Sequence, residues 1–131
     1  MVNKSRKEKI RSVVNEIKKI GGKKIKFIIL YGSLVHGKDT PLSDIDLAVY
    51  FEGSKKERFN FRMKTLGSID DQFDIQTFQD LPLYIQNEVI STGEIIYQKN
   101  YSEVFQIFVE TFKKFNDFKP RLDMYYSTLE V

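Results

Sequence analysis

The spacing of apolar positions along the chain predicts an alternation of helices and strands. Apolar residues recur at intervals of three and four from Ile10 to Ile20, which is typical of a helix, and Gly21-Gly22 then provides a stop. Ser54 and Glu57 have the spacing of a capping box and predict a helix that runs to about residue 66. Further helical patterns are predicted at residues 82–93, at residues 101–115 and in a last segment that starts at Pro120.

Between these helices lie segments rich in Ile, Val, Phe and Leu, which predict strands. They are residues 24–31, 44–51, 73–78 and 94–98. The first is almost continuously apolar, so we expect it to be buried on both faces. No repeat, low-complexity tract or linker interrupts the pattern. The sequence therefore predicts one compact α/β unit over residues 1–131, in which residues 119–131 form a C-terminal tail or helix available for contact with a partner.

Composition excludes several kinds of site. The chain has no cysteine, which excludes disulfides, cysteine-ligated metals and thiol nucleophiles, and its single histidine excludes a His-rich metal site. The longest strictly apolar run, residues 27–31, is far too short to span a bilayer. The N-terminus is charged and has no hydrophobic signal-peptide core. We expect a soluble, cytoplasmic protein.

Charge is distributed unevenly along the chain. Residues 1–26 contain ten Lys or Arg and two Glu, whereas the other residues contain eleven basic and sixteen acidic side chains. A basic end can attract nucleic acid or an acidic partner, or it can simply form the solvated face of a helix. Aromatic residues are not interleaved among these lysines, so we favour the solvated face and do not expect direct nucleic-acid binding.

Carboxylates alternate with apolar residues on two of the predicted strands. Asp44 and Asp46 would project from one face of the second strand, and Asp74 lies between apolar neighbours on the third. If these strands are adjacent, the three carboxylates converge. Two carboxylates ~5 Å apart repel by about 3 kcal/mol at an effective dielectric of 20, which favours a bound cation. Mg²⁺ prefers such oxygen ligands, and a pair of such ions supports phosphoryl chemistry.

Gly32-Ser33 directly follows the first strand and suits the same chemistry. Glycine permits close approach of an anion, and backbone N–H groups with a serine hydroxyl can bind phosphate oxygens. Taken alone, Gly-Ser is most often a turn, and paired acids can be polar residues at a strand edge. Their joint occurrence in a strand–loop–strand context favours a nucleotide site.

The combined motif resembles the polymerase-β-type nucleotidyltransferase superfamily. It consists of Gly32-Ser33, ten intervening residues that end in Ser43, then Asp44-x-Asp46 and Leu47-Ala48-Val49. Phe73-Asp74-Ile75 resembles the strand that carries the family's third acid, and Leu81-Pro82 and residues 93–97 resemble its later part. The small size points to the minimal nucleotidyltransferase (MNT) branch. The resemblance implies a small mixed sheet flanked by helices.

The resemblance also implies an activity: Mg²⁺-dependent transfer of a nucleoside monophosphate by a two-metal mechanism. Asp44, Asp46 and Asp74 would be the metal ligands and catalytic residues, and Gly32, Ser33 and Ser43 would bind the nucleotide, expected to be ATP. Family members of this size often act as antitoxins that AMPylate a tyrosine of a HEPN ribonuclease toxin in a hetero-oligomeric complex. The alternative is a catalytically silent module that neutralises a HEPN partner by occlusion.

The run after Gly-Ser departs from the family pattern. Many relatives have basic residues there, whereas this chain has Leu34-Val35-His36-Gly37-Lys38. His36 or Lys38 would contact phosphate in their place, or both are solvated loop residues.

Other prominent residues have two interpretations each. Arg58 and Arg62 share a helix face and would bind a phosphate or an acidic partner, or form an exposed helix surface. The aromatic stripe of residues 101–115 is expected to be core. Tyr125 and Tyr126 would pack on the domain or dock a partner helix.

Overall fold

The computed structural model describes residues 2–32 and 45–129, with side chains described from residue 6 onward except at 119, 121–123 and 125–129. Within these residues the elements in chain order are α1 Val2–Gly21, β1 Ile25–Tyr31, β2 Ile45–Phe51, α2 Lys55–Leu66, β3 Phe73–Thr77, α3 Leu83–Thr92, β4 Glu94–Gln98 and α4 Tyr101–Leu129. Short 3₁₀ turns, Gly22–Lys24 and Phe78–Asp80, follow α1 and β3. The predicted capping box is confirmed at the start of α2, where Ser54 and Glu57 each bond the other's backbone N–H.

The strands form one mixed sheet in the order β3-β2-β1-β4. The central strand β1 is antiparallel to both β2 and β4, whereas β2 and β3 are parallel. A parallel pair needs a crossover connection, and α2 supplies it. The predicted mixed sheet flanked by helices is confirmed.

Helices cover both faces of this sheet. On one face, Val13 and Ile17 of α1 and Phe61 of α2 pack against β1 and β2. On the other, Val89 of α3 and Val104 of α4 pack around a cluster of rings. At the centre of that cluster, the Phe27 ring lies 5.1–5.5 Å from those of Tyr50, Phe78 and Phe108. The apolar run of β1 is therefore buried on both sides, as predicted.

The helix α4 differs from the prediction in two respects. It runs without a break from Tyr101 to Leu129 with Pro120 inside it, instead of ending before a new segment that starts at the proline. The aromatic stripe was also expected to be core, and this is wrong in part. Val104 and Thr111 are buried and Ile107 and Phe108 pack inward, but three aromatic side chains of the predicted stripe, residues 101–115, are exposed. They are Tyr101, Phe105 and Phe112.

The outer faces of the helices are polar. The basic residues of α1 from Lys7 to Lys19 are exposed, as expected of a solvated helix face. Within residues 2–32 and 45–129, no helix combines the length and the apolar character that crossing a bilayer requires.

Arg58 links α2 by hydrogen bonds to the turn that follows the edge strand β3. Its guanidinium donates to both carboxylate oxygens of Asp80, at 3.0 and 2.9 Å, and to the carbonyl of Gly53 at 2.8 Å. The hydroxyl of Thr77 also donates to Asp80. In this structure, Arg58 is therefore paired within the chain.

We expect Asp80→Asn to weaken the fold in a pH-dependent way. The hydrogen bonds from Arg58, helped by that from Thr77, hold the pKa of Asp80 below its ordinary value of 3.8. A carboxylate with a depressed folded-state pKa stabilises the fold above its unfolded pKa, and this contribution is lost as pH falls through the folded pKa. Because the pair is partly exposed and screened, urea unfolding at pH 7 should show a loss on the order of 1 kcal/mol.

The difference between wild type and Asp80→Asn should shrink as pH falls below 3.8 and through the depressed pKa of Asp80, because the wild-type carboxylate then becomes protonated and uncharged like the amide. Asp117→Asn, on the exposed side of α4, is the control and should follow the wild-type profile. A difference that is constant with pH would contradict this assignment.

Candidate active site

The candidate site lies at one edge of the sheet, where β1 ends and β2 and β3 begin. Because β1 is antiparallel to β2 and β2 is parallel to β3, these three strand ends meet at the same edge. The parallel pairing starts with a 2.8 Å bond from Ile45 N to the carbonyl oxygen of Gln72. Gly32 follows β1, Asp46 is the second residue of β2, and Asp74 is the second residue of β3.

Asp46 and Asp74 are direct neighbours across the parallel pair. Residues paired in this way lie on strands about 4.8 Å apart and project from the same face. That face is opposite to the buried Ile45, Leu47 and Ile75, as the alternation predicted. The second and third strands are adjacent, which meets the condition that the sequence analysis set for convergence, and this pairing brings two of the three predicted carboxylates together.

Gly32 leaves room for the Asp46 carboxylate. Its φ is +86°, a conformation that residues with a side chain rarely adopt. A Cβ at this position would lie 2.5 Å from Oδ2 of Asp46. The glycine is therefore required both by its backbone conformation and by the acid that lies against it.

Tyr31 is a site residue that the sequence analysis did not single out. It pairs directly with Asp46 across β1 and β2 and is half-buried. Burial, together with the charges of Asp46 and Asp74, raises the pKa of Tyr31 to about 12, and the charge of Arg62 opposes this shift. The phenol therefore stays protonated at neutral pH and can donate a hydrogen bond. Its position directly before Gly32 was the only available signal in the sequence.

Arg62 and Gln76 flank the carboxylate of Asp74. Nε of Arg62 donates to the carbonyl oxygen of Ile75 at 2.6 Å, and a terminal nitrogen of its guanidinium lies 3.8 Å from Oδ1 of Asp74. The side-chain amide of Gln76 donates to Oδ2 at 3.2 Å. In this structure, Arg62 contacts an acid of the site and a backbone carbonyl instead of forming a bare helix surface.

A small cavity opens beside Gly32, between the end of β1 and α3. Its volume is about 150 Å³. Apolar side chains form much of its wall and two polar side chains of α3 lie at its margin. The lining residues are Tyr31, Gly32, Ile85, Glu88, Val89 and Thr92.

Several predicted site residues lie outside the described residues. They are Ser33, His36, Lys38, Ser43 and Asp44. Their roles as ligands of nucleotide or metal stay predictions.

The donor set fits a hard divalent cation. Two adjacent carboxylates with phosphate oxygens as further ligands are typical of Mg²⁺ sites in proteins that bind nucleotides. Within residues 2–32 and 45–129, no group of three acidic or histidine side chains is placed to hold a metal ion. Asp46 and Asp74 would hold the ion from the described part of the chain, and Asp44 is the predicted third carboxylate.

Comparison with known proteins identifies relatives in sequence and in structure. A family model described as "Polymerase beta, Nucleotidyltransferase" matches residues 8–102. A Methanocaldococcus jannaschii protein, named a putative protein adenylyltransferase, is 34% identical over 70 residues, which are 53% of either chain. The chain thus spans about half the length of the curated relative that it matches.

Solved structures of toxin–antitoxin complexes share the fold. A chain of a toxin–antitoxin structure with AMP-PNP has a TM-score of 0.73 at 16% identity, over 92% of this chain and 98% of that one. A chain from a complex of a tri-AMPylated Shewanella oneidensis HEPN toxin with an MNT antitoxin has a TM-score of 0.67 at 17% identity, with the same coverage. These matches show the polymerase-β-like nucleotidyltransferase fold.

We expect Gly32→Ala to lower the free energy of unfolding by more than the left-handed backbone conformation of Gly32 alone would cost. The backbone conformation should cost about 1–2 kcal/mol, and the added methyl must also displace the Asp46 carboxylate. Gly22→Ala is the matched control, because Gly22 has φ +58° and a Cβ there would meet nothing within 4 Å. Urea unfolding and Mn²⁺ titration of both variants measure the difference. Equal losses of stability and unchanged Mn²⁺ binding in both would disprove the contact with Asp46.

Proposed function

The chain belongs to the polymerase β nucleotidyltransferase family, and on that premise we propose that it transfers AMP from ATP to a protein hydroxyl. The proposed acceptor is a tyrosine of a cognate HEPN ribonuclease toxin, so that the chain acts as an antitoxin. The observation that carries the proposal is the pair Asp46 and Asp74 on adjacent parallel strands, directly beside Gly32.

The proposed reaction is an in-line displacement at the α-phosphorus of ATP. The acceptor oxygen forms a bond to the α-phosphorus, the bond from that phosphorus to the bridging oxygen of pyrophosphate breaks, and pyrophosphate leaves. The hydroxyl proton passes to the carboxylate of Asp74, the described acid that the family resemblance associates with the acceptor. Mg²⁺ held by Asp44, Asp46 and Asp74 would stabilise the negative charge on the attacking and leaving oxygens.

Binding of the triphosphate is assigned to the turn after β1. The positive φ of Gly32 permits close approach of an anion to the backbone, and Ser33 and Ser43 would supply hydroxyl donors. Tyr31, protonated at neutral pH, adds a donor at the same edge. The name of the AMP-PNP-containing structural relative supports ATP as the nucleotide.

A protein acceptor is supported by the relatives and by the surface of α4. The curated relative is named for protein adenylyltransfer, and a solved relative contains an AMPylated HEPN toxin. On α4, the rings of Tyr101 and Phe105 stack at 6.1 Å while both side chains are more than half exposed. Exposed aromatic residues of this kind are enriched where proteins bind one another.

The alternative is a silent module that neutralises a HEPN partner by occlusion. It requires the same partner surface but no function for the acids. Neutralising Asp46 and Asp74 would then leave inhibition of the partner unchanged, so that the effect of these substitutions separates the two functions.

We expect Asp46→Asn and Asp74→Asn each to reduce nucleotidyl transfer at least about 100-fold, because the charge that holds the metal and the proton acceptor is lost. The assay uses purified protein in a cell lysate with Mg²⁺ and ATP labelled at the α-phosphate, and it follows the labelled protein band. Asp117→Asn removes a carboxylate from the exposed side of α4 and should keep wild-type transfer.

Transfer that persists in a folded Asp44→Asn/Asp46→Asn double variant would refute the enzymatic proposal. A label absent from wild type, together with ATP affinity that does not depend on Mg²⁺, would favour the occluding module.

A further inference from the structure

Arg62 reaches the site from the opposite face of the sheet. It belongs to α2, which packs on the face formed by Ile45, Leu47 and Ile75, whereas Asp74 projects from the other face. The side chain passes around the edge strand β3, and its Nε donates to the carbonyl of Ile75 at 2.6 Å. This bond fixes the guanidinium at the strand edge, because a short charge-assisted bond restrains the otherwise flexible side chain.

The anchored guanidinium forms an ion pair with the Asp74 carboxylate. The distance of 3.8 Å between the closest nitrogen and Oδ1 is an electrostatic contact, longer than a hydrogen bond. Gln76 restrains the second oxygen, Oδ2, from the same face. Both charged side chains are only partly exposed, 26% for Arg62 and 39% for Asp74, so solvent screens the pair incompletely.

The ion pair of Arg62 with Asp74 has an acidic and a neutral neighbour on the strands of the site. Asp46 lies next to Asp74 across the strands, and Tyr31, which is neutral, faces Asp46. The positive charge of Arg62 also lowers the pKa of Tyr31, in opposition to the charges of both acids. Arg62 therefore supplies positive charge at the position where adjacent carboxylates would otherwise repel each other.

We propose that Arg62 is a positioning residue that serves as the counterion of Asp74 when no metal is bound, and that it competes with a divalent cation for this carboxylate. The inference rests on the proposed metal-dependent function. Arg62 lowers the repulsion between Asp46 and Asp74 in the metal-free protein and, for the same reason, weakens metal binding. A solely structural Arg62 would stabilise β3 through Ile75 and leave metal affinity unchanged.

The test measures binding of Mn²⁺ alone, without nucleotide, to wild type and to Arg62→Gln. A unit charge about 6 Å from a divalent ion, screened as in water, changes the ion's affinity about tenfold. Arg62→Gln should therefore bind Mn²⁺ about tenfold more tightly by calorimetry, whereas Arg62→Lys, which keeps the charge, should remain near wild type. The rise in melting temperature from EDTA to Mn²⁺ should be larger in Arg62→Gln than in wild type.

Arg58→Gln is the matched control. It removes an equivalent charge from the same helix face, but its partner is Asp80. It should lower the melting temperature with and without Mn²⁺ by equal amounts and leave Mn²⁺ affinity unchanged. In an Asp74→Asn background, Arg62→Gln should tighten binding less than it does in wild type, because the carboxylate for which Arg62 and the ion compete is absent. Arg62→Met, with a side chain that still covers the edge of β3, replaces Arg62→Gln if that variant does not fold.

The results of these titrations test the counterion role of Arg62 separately from the proposed metal-dependent function. Unchanged or weaker Mn²⁺ binding in Arg62→Gln, or an equal gain in Arg58→Gln, overturns the counterion role and leaves the proposed function in place. Failure of both wild type and Arg62→Gln to bind Mn²⁺ alone overturns the counterion role, and failure of wild type to bind Mn²⁺ in the presence of ATP as well overturns the metal-dependent function.

Discussion

The candidate site depends on the parallel pairing of β2 with β3 in one particular register. Asp46 lies beside Asp74 only in this register, and a shift of one residue would turn one carboxylate into the core that contains Ile45 and Ile75. The apolar residues on the opposite face therefore determine the register of the two strands, and with it the position of the two carboxylates. Burial of Ile45, Leu47 and Ile75 offsets the repulsion that the paired carboxylates introduce, since the apolar residues cannot be buried without placing the acids together.

In the part of the chain that the structure describes, the outer edge of β3 has no neighbouring strand, and two arginines of α2 cover it. An edge strand exposes unpaired backbone groups, and the carbonyl of Ile75 is one of them. Arg62 satisfies this carbonyl, while Arg58 fixes the end of the strand through Asp80. The same crossover helix that makes the parallel pair possible thus also seals its outer side. The structure favours this internal role over the exposed surface or the external phosphate that the sequence left open.

Much of the fold could be predicted because its patterns are local. The strand alternation, the capping box at Ser54 and the glycine stop after α1 each depend on a few neighbouring residues, and the structure confirms them. The roles of α4 could not be predicted in this way. Its aromatic residues repeat at helical spacing on a stripe wider than the face that packs, so periodicity alone does not separate Val104 from the exposed Phe105. Pro120 likewise indicated a helix start, although the helix continues through it.

The residues of the candidate site also fall into those that the sequence could predict and those that it could not. Asp46, Asp74 and Gly32 were found from alternation and motif spacing, because strand geometry converts sequence position into position on a face. Tyr31 and Arg62 were not assigned to the site, because their relation to the acids arises from pairing across strands and around a strand edge, which no linear spacing encodes. Their effects are also opposite in kind: burial keeps Tyr31 protonated and neutral, whereas Arg62 adds positive charge. A site built from two like charges therefore depends on residues that the motif does not contain, and these residues set how strongly its acids attract a cation.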